Sequence, residues 1–493
     1  MADPAAPPLP ELHGPLPTPR RRNRTAGLLL AAAAGIAVLG VGFVRTAGGL
    51  AGTGTDVAIG GGRSSEPARC AAASVLAAAA ACASPLTPAV SAPGGSVTPT
   101  PAPSSPTPSV TPGSPTPGPS VPPLAVRLQA ALDRMRVKLG IPGVSATILL
   151  PDGSTWTGVS GVADVAARTP VTPETAFAFA SVSKTFTSAL ILELIDEGRL
   201  HLSDPAVNLL PPLRLRIDRR ITVGMLLNHT SGLADFFLNP KIDGPLQGQP
   251  SATWTADRTL RYVGKPLSPP GSAWHYSNTN YLLLGLIAER VTGRSLGEAI
   301  RTRLLAPAGL GATWDQVTEA PRTRLAHGYR FASTKLSAKP IDLDDGSGVA
   351  PFRSVVTAGG GAGAMAGTST DLARWGRALY SGSVLGPQGT AILLSGFSKT
   401  TNYLPGVAYG YGIQAFSIDG HPSLGHSGRF LGFRSVVRHF PIDGLTIAVL
   451  TNQSRADPGR IVRALLTVAV PPVVPVPPET PDGPACIMCS MAR

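Results

Sequence analysis

Three short stretches of this chain hold residue types that can do covalent chemistry, and each pattern is found once. In "FASVSKTFTSALILELIDEGRL", residues 179–200, Ser181 stands three positions before Lys184. On a helix, positions i and i+3 share a face, so a hydroxyl would lie beside an amine. That pair is either a helix cap with a nearby lysine or a serine activated for nucleophilic attack. In "HYSNTNYLLLGL", residues 275–286, Tyr276 and Asn278 precede an apolar helical pattern. A tyrosine of lowered pKa acts as a base and an amide positions a carbonyl or a substrate amide; structurally, the same residues pack and cap. In "GHSGRF", residues 425–430, His426 and Gly428 lie in a strand pattern. Glycine there admits a ligand or another backbone closely, and the plain alternative is a bulge beside a partly exposed histidine.

The elements that must carry these residues are legible in outline. Apolar residues at Leu124, Leu128, Ala131, Leu132 and Met135 predict a helix from Leu124 to Leu139, ended by the Gly-Ile-Pro-Gly turn at 140–143. "VSATILL" and "STWTGVSGVA" predict a hairpin around Pro151-Asp152-Gly153. Behind Ser181, apolar residues at Phe186, Leu190, Ile191, Leu194 and Ile195 predict an amphipathic helix, with Glu193, Asp196 and Glu197 on other faces and Gly198 as its stop. Helical signals follow in "TVGMLLNHTSGL", "TNYLLLGLIAERVTGRSLGEAIRTRLL" and "TSTDLARWGRALYSG". Strands return in "YGYGIQAF", "SLGHSG", "FRSVVRHFP" and "LTIAVLTNQ", before a final helix in "RIVRALLTVAV". Strands at both ends and helices between them predict an α+β fold whose sheet joins the two ends of the globular region.

Much of the chain falls outside that region. Among 493 residues there are 51 Pro and 56 Gly, unevenly placed, and 45–123 and 471–493 are rich in Pro. The first stretch is Ala, Pro, Ser and Thr rich and predicts a disordered linker; the second predicts a disordered tail. Residues 124–470 are left for the globular domain. The uncharged run at 26–44, after Arg20, Arg21, Arg22 and Arg24, would make a helix about 28 Å long, close to a bilayer's hydrocarbon thickness. Residues 1–25 would then stay in the cytoplasm and the rest would lie outside it, in a bacterial cell envelope. A cleaved signal segment, or lipidation at Cys82 in "RCAAASVLAAAAACAS", are the alternatives.

The net charge of +13 raises nucleic acid as a partner. The basic residues are scattered, however, and the run Arg214–Arg220 alternates with Leu213, Leu215 and Ile217 without interleaved aromatics, so no nucleic-acid partner is expected. All four cysteines, at 70, 82, 486 and 489, lie outside 124–470, which excludes a disulfide or a cysteine nucleophile there. No metal and no cofactor are expected. His229 reads as a structural turn residue.

Taken together, the ordered S-x-x-K, Y-x-N and H-x-G elements resemble the serine beta-lactamase and penicillin-binding family, in particular class C beta-lactamases, D-alanyl-D-alanine carboxypeptidases and related esterases. "LLNHTSGL" at 226–233, "PGSAWHYSNTNYLLLGLIAERVTGRS" at 270–295 and "GGAGAMAGTSTDLARW" at 360–375 extend the resemblance over about residues 124–470. It implies an antiparallel sheet flanked by helices and packed against a mainly helical subdomain, with the active site between them. Ser181 is then the nucleophile, Lys184 the amine that takes its proton, and Tyr276 a member of the proton relay. Asn278, His426 and Gly428 bind substrate, His426 bringing a pH-dependent charge for a carboxylate. The backbone N–H groups of Ser181 and Arg429 form the oxyanion hole. The implied activity is an exported, acyl-enzyme-forming hydrolase of D-alanyl-D-alanine peptides, such as a peptidoglycan stem peptide, or of beta-lactams. An esterase of small acyl esters and a catalytically silent envelope protein are the alternatives.

Overall fold

The computed structural model describes residues 122–470 except Thr334 and Asn402. The expected anchor at 26–44, Cys82, the linker and the tail all lie outside the described residues.

Helix α1 (Leu124–Leu139) is closed by Gly140 in the left-handed conformation, φ 60°, whose N–H reaches back to the last turn. Strands β1 (Gly143–Leu149) and β2 (Thr155–Asp164) form the expected hairpin, in register from Gly143↔Gly161 to Leu149↔Thr155. With β3 (Thr169–Pro170), β4 (Ser398–Lys399), β5 (Ala408–Tyr409), β6 (Gln414–Ile418), β7 (His421–Phe430), β8 (Phe433–Phe440) and β9 (Leu445–Thr451) they make one nine-stranded antiparallel sheet. Its order is β3-β2-β1-β9-β8-β7-β6-β5-β4, so the first strand of the domain pairs with the last. Asn452 reinforces that junction: its Oδ1 accepts from Gly143 N–H at 2.6 Å and its Nδ2 donates to Val162 C=O at 3.0 Å.

Strand β1 is buried on both faces because helices cover each side. On one face α1 and the C-terminal helix α5 (Gly459–Ala469) enclose Leu128, Leu132, Val144, Ile148, Ile447 and Ile461. On the other lies a larger core built around α2 (Ser183–Asp196), α3 (Asn278–Thr292) and α4 (Ser369–Tyr380). The Thr368 hydroxyl caps α4 by accepting from Asp371 N–H at 3.2 Å.

Helix α2 departs from the amphipathic expectation. Every residue from Ser183 to Leu192 is buried, and Phe186 stacks on Trp375 with ring centroids 4.1 Å apart. The spaced leucines and isoleucines mark one face, but the small residues Ser183, Thr185, Ser188 and Ala189 let neighbouring elements close over the others. A helix buried all round belongs to a core, not to a surface. Of the acidic residues at its end, Glu193 and Glu197 pair with Arg303.

Candidate active site

Ser181 sits in a single 3-10 turn, Ala180–Val182, immediately before α2. No side chain caps that turn, so the cap reading of Ser181 does not hold. Ala180 takes φ 49°, a left-handed conformation costly for a residue with a Cβ. The turn is held on two sides: Phe179 N–H donates to Met365 C=O at 2.9 Å, and the Ser435 hydroxyl donates to Phe179 C=O at 2.6 Å. Strand β7 lies against it at Gly428. A Cβ there would come 2.2 Å from Phe179 O and 3.0 Å from Ser181 N, so only glycine allows this approach.

One helical turn on, the Lys184 side chain is fully buried. Its Nζ donates to Ser181 Oγ at 3.1 Å, Asn278 Oδ1 at 2.7 Å and Ala362 C=O at 2.8 Å. It lies 5.1 Å from the Tyr276 ring centroid and 5.5 Å from that of Tyr281. Burial pulls its pKa down to about 7, against the opposing pull of the Asp235 charge. Near neutral pH a large share of this amine is therefore unprotonated and can accept the serine proton.

Tyr276 comes to the same centre, interacting with the Ser181 hydroxyl. Its ring stacks on Tyr403 with centroids 5.3 Å apart. Burial, and then Tyr403, push its pKa well above the ordinary value, the reverse of the lowered pKa a phenolate base needs. A neutral phenol can both donate and accept a hydrogen bond.

Asn278 begins α3 and uses both ends of its amide within the protein: Oδ1 accepts from Lys184, and Nδ2 donates to Asp235 Oδ2 at 2.7 Å. The expected substrate contact is left to the second Nδ2 hydrogen.

His426 corrects the expectation of a charge for substrate. It is fully buried, its Nε2 lies 2.9 Å from the Tyr409 hydroxyl, and its Nδ1 lies 2.7 Å from Ser427 C=O. Burial and the Lys184 charge drive its pKa well below the ordinary histidine value, so it is neutral. His229 is also neutral and buried: Nδ1 accepts from Ser277 N–H at 3.2 Å, and the ring packs on Trp274, Tyr276, Tyr281 and Tyr409. Arg429, two strand positions past Ser427, is half-buried on β7.

Sequence reasoning missed Asp235, Tyr403, Tyr409 and Ala362. Asp235 had one usable signal, a lone carboxylate in the apolar stretch "SGLADFF". The others reach the site through folding alone.

Asp164, His327 and Asp342 also converge, with one donor atom each within 4.8 Å. His327 faces a carboxylate at each ring nitrogen, Asp342 at 2.9 Å and Asp344 at 3.6 Å. Burial would lower its pKa, but the Asp342 hydrogen bond and the Asp344 charge outweigh it and raise it. The two carboxylates clamp His327 to the 340–344 segment, with Asp164 of β2 close by.

A family model described as beta-lactamase matches residues 128–470. This chain belongs to the beta-lactamase family. It is 29% identical over 340 residues to "Penicillin-binding protein 4" of Amycolatopsis lactamdurans, covering 66% of this chain and 84% of that one. Among solved structures, a D-stereospecific amidohydrolase from Streptomyces sp. is similar with TM-score 0.60 and 28% identity, covering 69% of this chain and 98% of the other. The D-amino acid amidase of Ochrobactrum anthropi SV3, complexed with D-phenylalanine, is similar with TM-score 0.59 and 25% identity over 70% of this chain and 98% of the other. The beta-lactamase-like α+β fold and the serine hydrolase class follow from this membership.

Proposed function

We propose that the protein hydrolyses an amide or peptide bond on the carbonyl side of a D-amino acid, through an acyl-enzyme on Ser181. The observation that carries the reading is the buried Lys184 amine, 3.1 Å from Ser181 Oγ and with its pKa near 7. In the neutral form Lys184 takes the Ser181 proton as Oγ attacks the carbonyl carbon. Negative charge then develops on the carbonyl oxygen, beside the N-terminal end of α2, where the helix dipole favours it. The backbone N–H groups of Ser181 and Arg429 are the donors assigned to that oxygen, each worth roughly 3 kcal/mol of transition-state stabilisation. Tyr276, as a neutral phenol, passes the proton from Lys184 to the leaving nitrogen. Water then attacks the acyl-serine along the same relay in reverse.

The D-configuration is supported by the likeness to a D-stereospecific amidohydrolase and a D-amino acid amidase. A stem peptide ending in D-alanyl-D-alanine, and the beta-lactam that mimics it, belong to the same class of carbonyl substrate. Paired D- and L-phenylalaninamide, a D-alanyl-D-alanine peptide and benzylpenicillin make the discriminating set. Hydrolysis of a D-compound at least tenfold faster than its L-partner supports the reading, and equal rates or a preference for L overturn it.

The catalytic domain is proposed to act outside the cytoplasm, on a tether spanning 45–123. The apolar run 26–44 behind four arginines supports this. The full chain should sediment with membranes and a chain lacking residues 1–44 should not; equal solubility of both would refute the tether.

A further inference from the structure

Asp235 has no part in the mechanism above, yet it closes the hydrogen-bond chain that ends on Ser181. Its side chain is buried, with the residue 7% exposed. Oδ1 accepts from Phe237 N–H at 2.9 Å, which caps the Phe236–Leu238 turn. Oδ2 accepts from Asn278 Nδ2 at 2.7 Å, and Asn278 Oδ1 accepts from Lys184 Nζ at 2.7 Å.

A primary amide donates at one end and accepts at the other. Rotated end for end, Asn278 would turn its NH2 against the Lys184 amine and lose the bond. Burial raises the pKa of the Asp235 carboxyl, against the pull of the Phe237 hydrogen bond and the Lys184 charge; ionised, it only accepts, so it allows one orientation of that amide and forbids the other. We propose that Asp235 is a positioning residue of the hydrolase centre: it fixes Asn278 so that the amide oxygen holds Lys184 against Ser181, and it supplies the carboxylate that faces that amine. The inference rests on the Ser181–Lys184 reading above.

The surroundings leave that electrostatic task to Asp235. Facing Lys184 are the Ser181 hydroxyl, the Ala362 carbonyl, the Tyr276 and Tyr281 rings, and the neutral imidazoles of His229 and His426. Against burial, the charge that favours the ammonium is that of Asp235. The same carboxylate faces Tyr276, whose phenol it helps to keep protonated.

A turn cap alone would explain only the bond to Phe237, and the two roles separate experimentally. In Asp235→Asn, the amide oxygen still caps Phe237, but an NH2 replaces the acceptor that orients Asn278. The double variant Asp235→Asn with Asn278→Asp restores the donor–acceptor order: the new amide donates to the new carboxylate, whose second oxygen accepts from Lys184.

The test is the rate of Ser181 labelling by a fluorophosphonate between pH 5 and 9, read by intact mass on the full chain, with circular dichroism as the check on folding. Asp235→Asn is expected to label at least tenfold more slowly at pH 8, with its midpoint moved to lower pH. The double variant is expected to recover most of the rate, with a midpoint above that of the wild type. A mere cap, which the amide oxygen of Asp235→Asn preserves, predicts rate and midpoint unmoved, and that result overturns the proposal. If Asp235→Asn does not fold, the double variant decides alone: a raised midpoint supports the proposal and an unmoved one overturns it. Absence of Ser181 labelling in the wild type at every pH would instead overturn the serine–lysine reading and this inference with it.

Discussion

Gly428→Ala tests how closely the site depends on the approach of β7 to the Ser181 turn. The added methyl would lie 2.2 Å from Phe179 O, 2.4 Å from Ser435 Oγ and 3.0 Å from Ser181 N. Two of those atoms are held already, since the Ser435 hydroxyl donates to Phe179 C=O at 2.6 Å. The clash is thus with backbone on one side and a fixed hydroxyl on the other, and no flexible side chain can swing away. Strand and turn must part by roughly 1 Å, a misplacement that costs about a hundredfold in rate when it falls between reacting groups. Overpacking also costs about 1–3 kcal/mol of stability. The control is Gly153→Ala in the β1–β2 turn, where φ is 85° and an added carbon meets nothing within 4 Å. That variant carries about 1 kcal/mol of backbone strain and no catalytic loss. The assay is the acylation rate of Ser181 beside thermal unfolding of both variants. If Gly428→Ala acylates at more than a third of the wild-type rate, or if both variants lose activity in proportion to stability, the argument fails.

With Lys184 near pKa 7 and active when neutral, kcat/KM should fall about tenfold per pH unit below that value and level off above it; a flat profile from pH 5 to 8 would count against Lys184 as the base. Lys184→Met, which keeps the bulk but not the amine, should lower kcat by about 10²–10⁴ while the chain still folds, as read by circular dichroism. Asn452→Ala leaves Gly143 N–H and Val162 C=O without their partner and should cost about 2–4 kcal/mol in chemical denaturation. The raised pKa of His327 means that its clamp stabilises fully below about pH 6.5, the unfolded value, and fades as pH rises through the folded value. His327→Gln should remove that pH dependence from the melting temperature, and an unchanged slope would dismiss the clamp.

The main strands of the sheet were legible, because hairpin turns and short strand-like runs are local, whereas β3, β4 and the break between β5 and β6 were not. Helix α1 was visible from its apolar spacing and its glycine stop, and the pairing of β1 with β9 followed from strands standing at both ends of one domain. The character of α2 was hidden, since closure over all its faces depends on α4 and the 360–362 turn, far away in sequence. At the site, Ser181, Lys184, Tyr276 and Asn278 were named from short motifs, and folding brings them together. Their electrical states were not legible. A neutral His426 follows from complete burial, and the high pKa of Tyr276 from burial and the stacked Tyr403. Asp235 was missed because a separation of 43 positions from Asn278 conceals a contact of 2.7 Å.

The most direct test of the whole account is to mix the protein with the p-nitrophenyl ester of N-acetyl-D-alanine, quench in acid, and map the acyl mass by peptide. One acetyl-D-alanyl group, on Ser181, is expected in the wild type and none on the Ser181→Ala variant. Acyl mass on another residue, or equal turnover by Ser181→Ala, would contradict it.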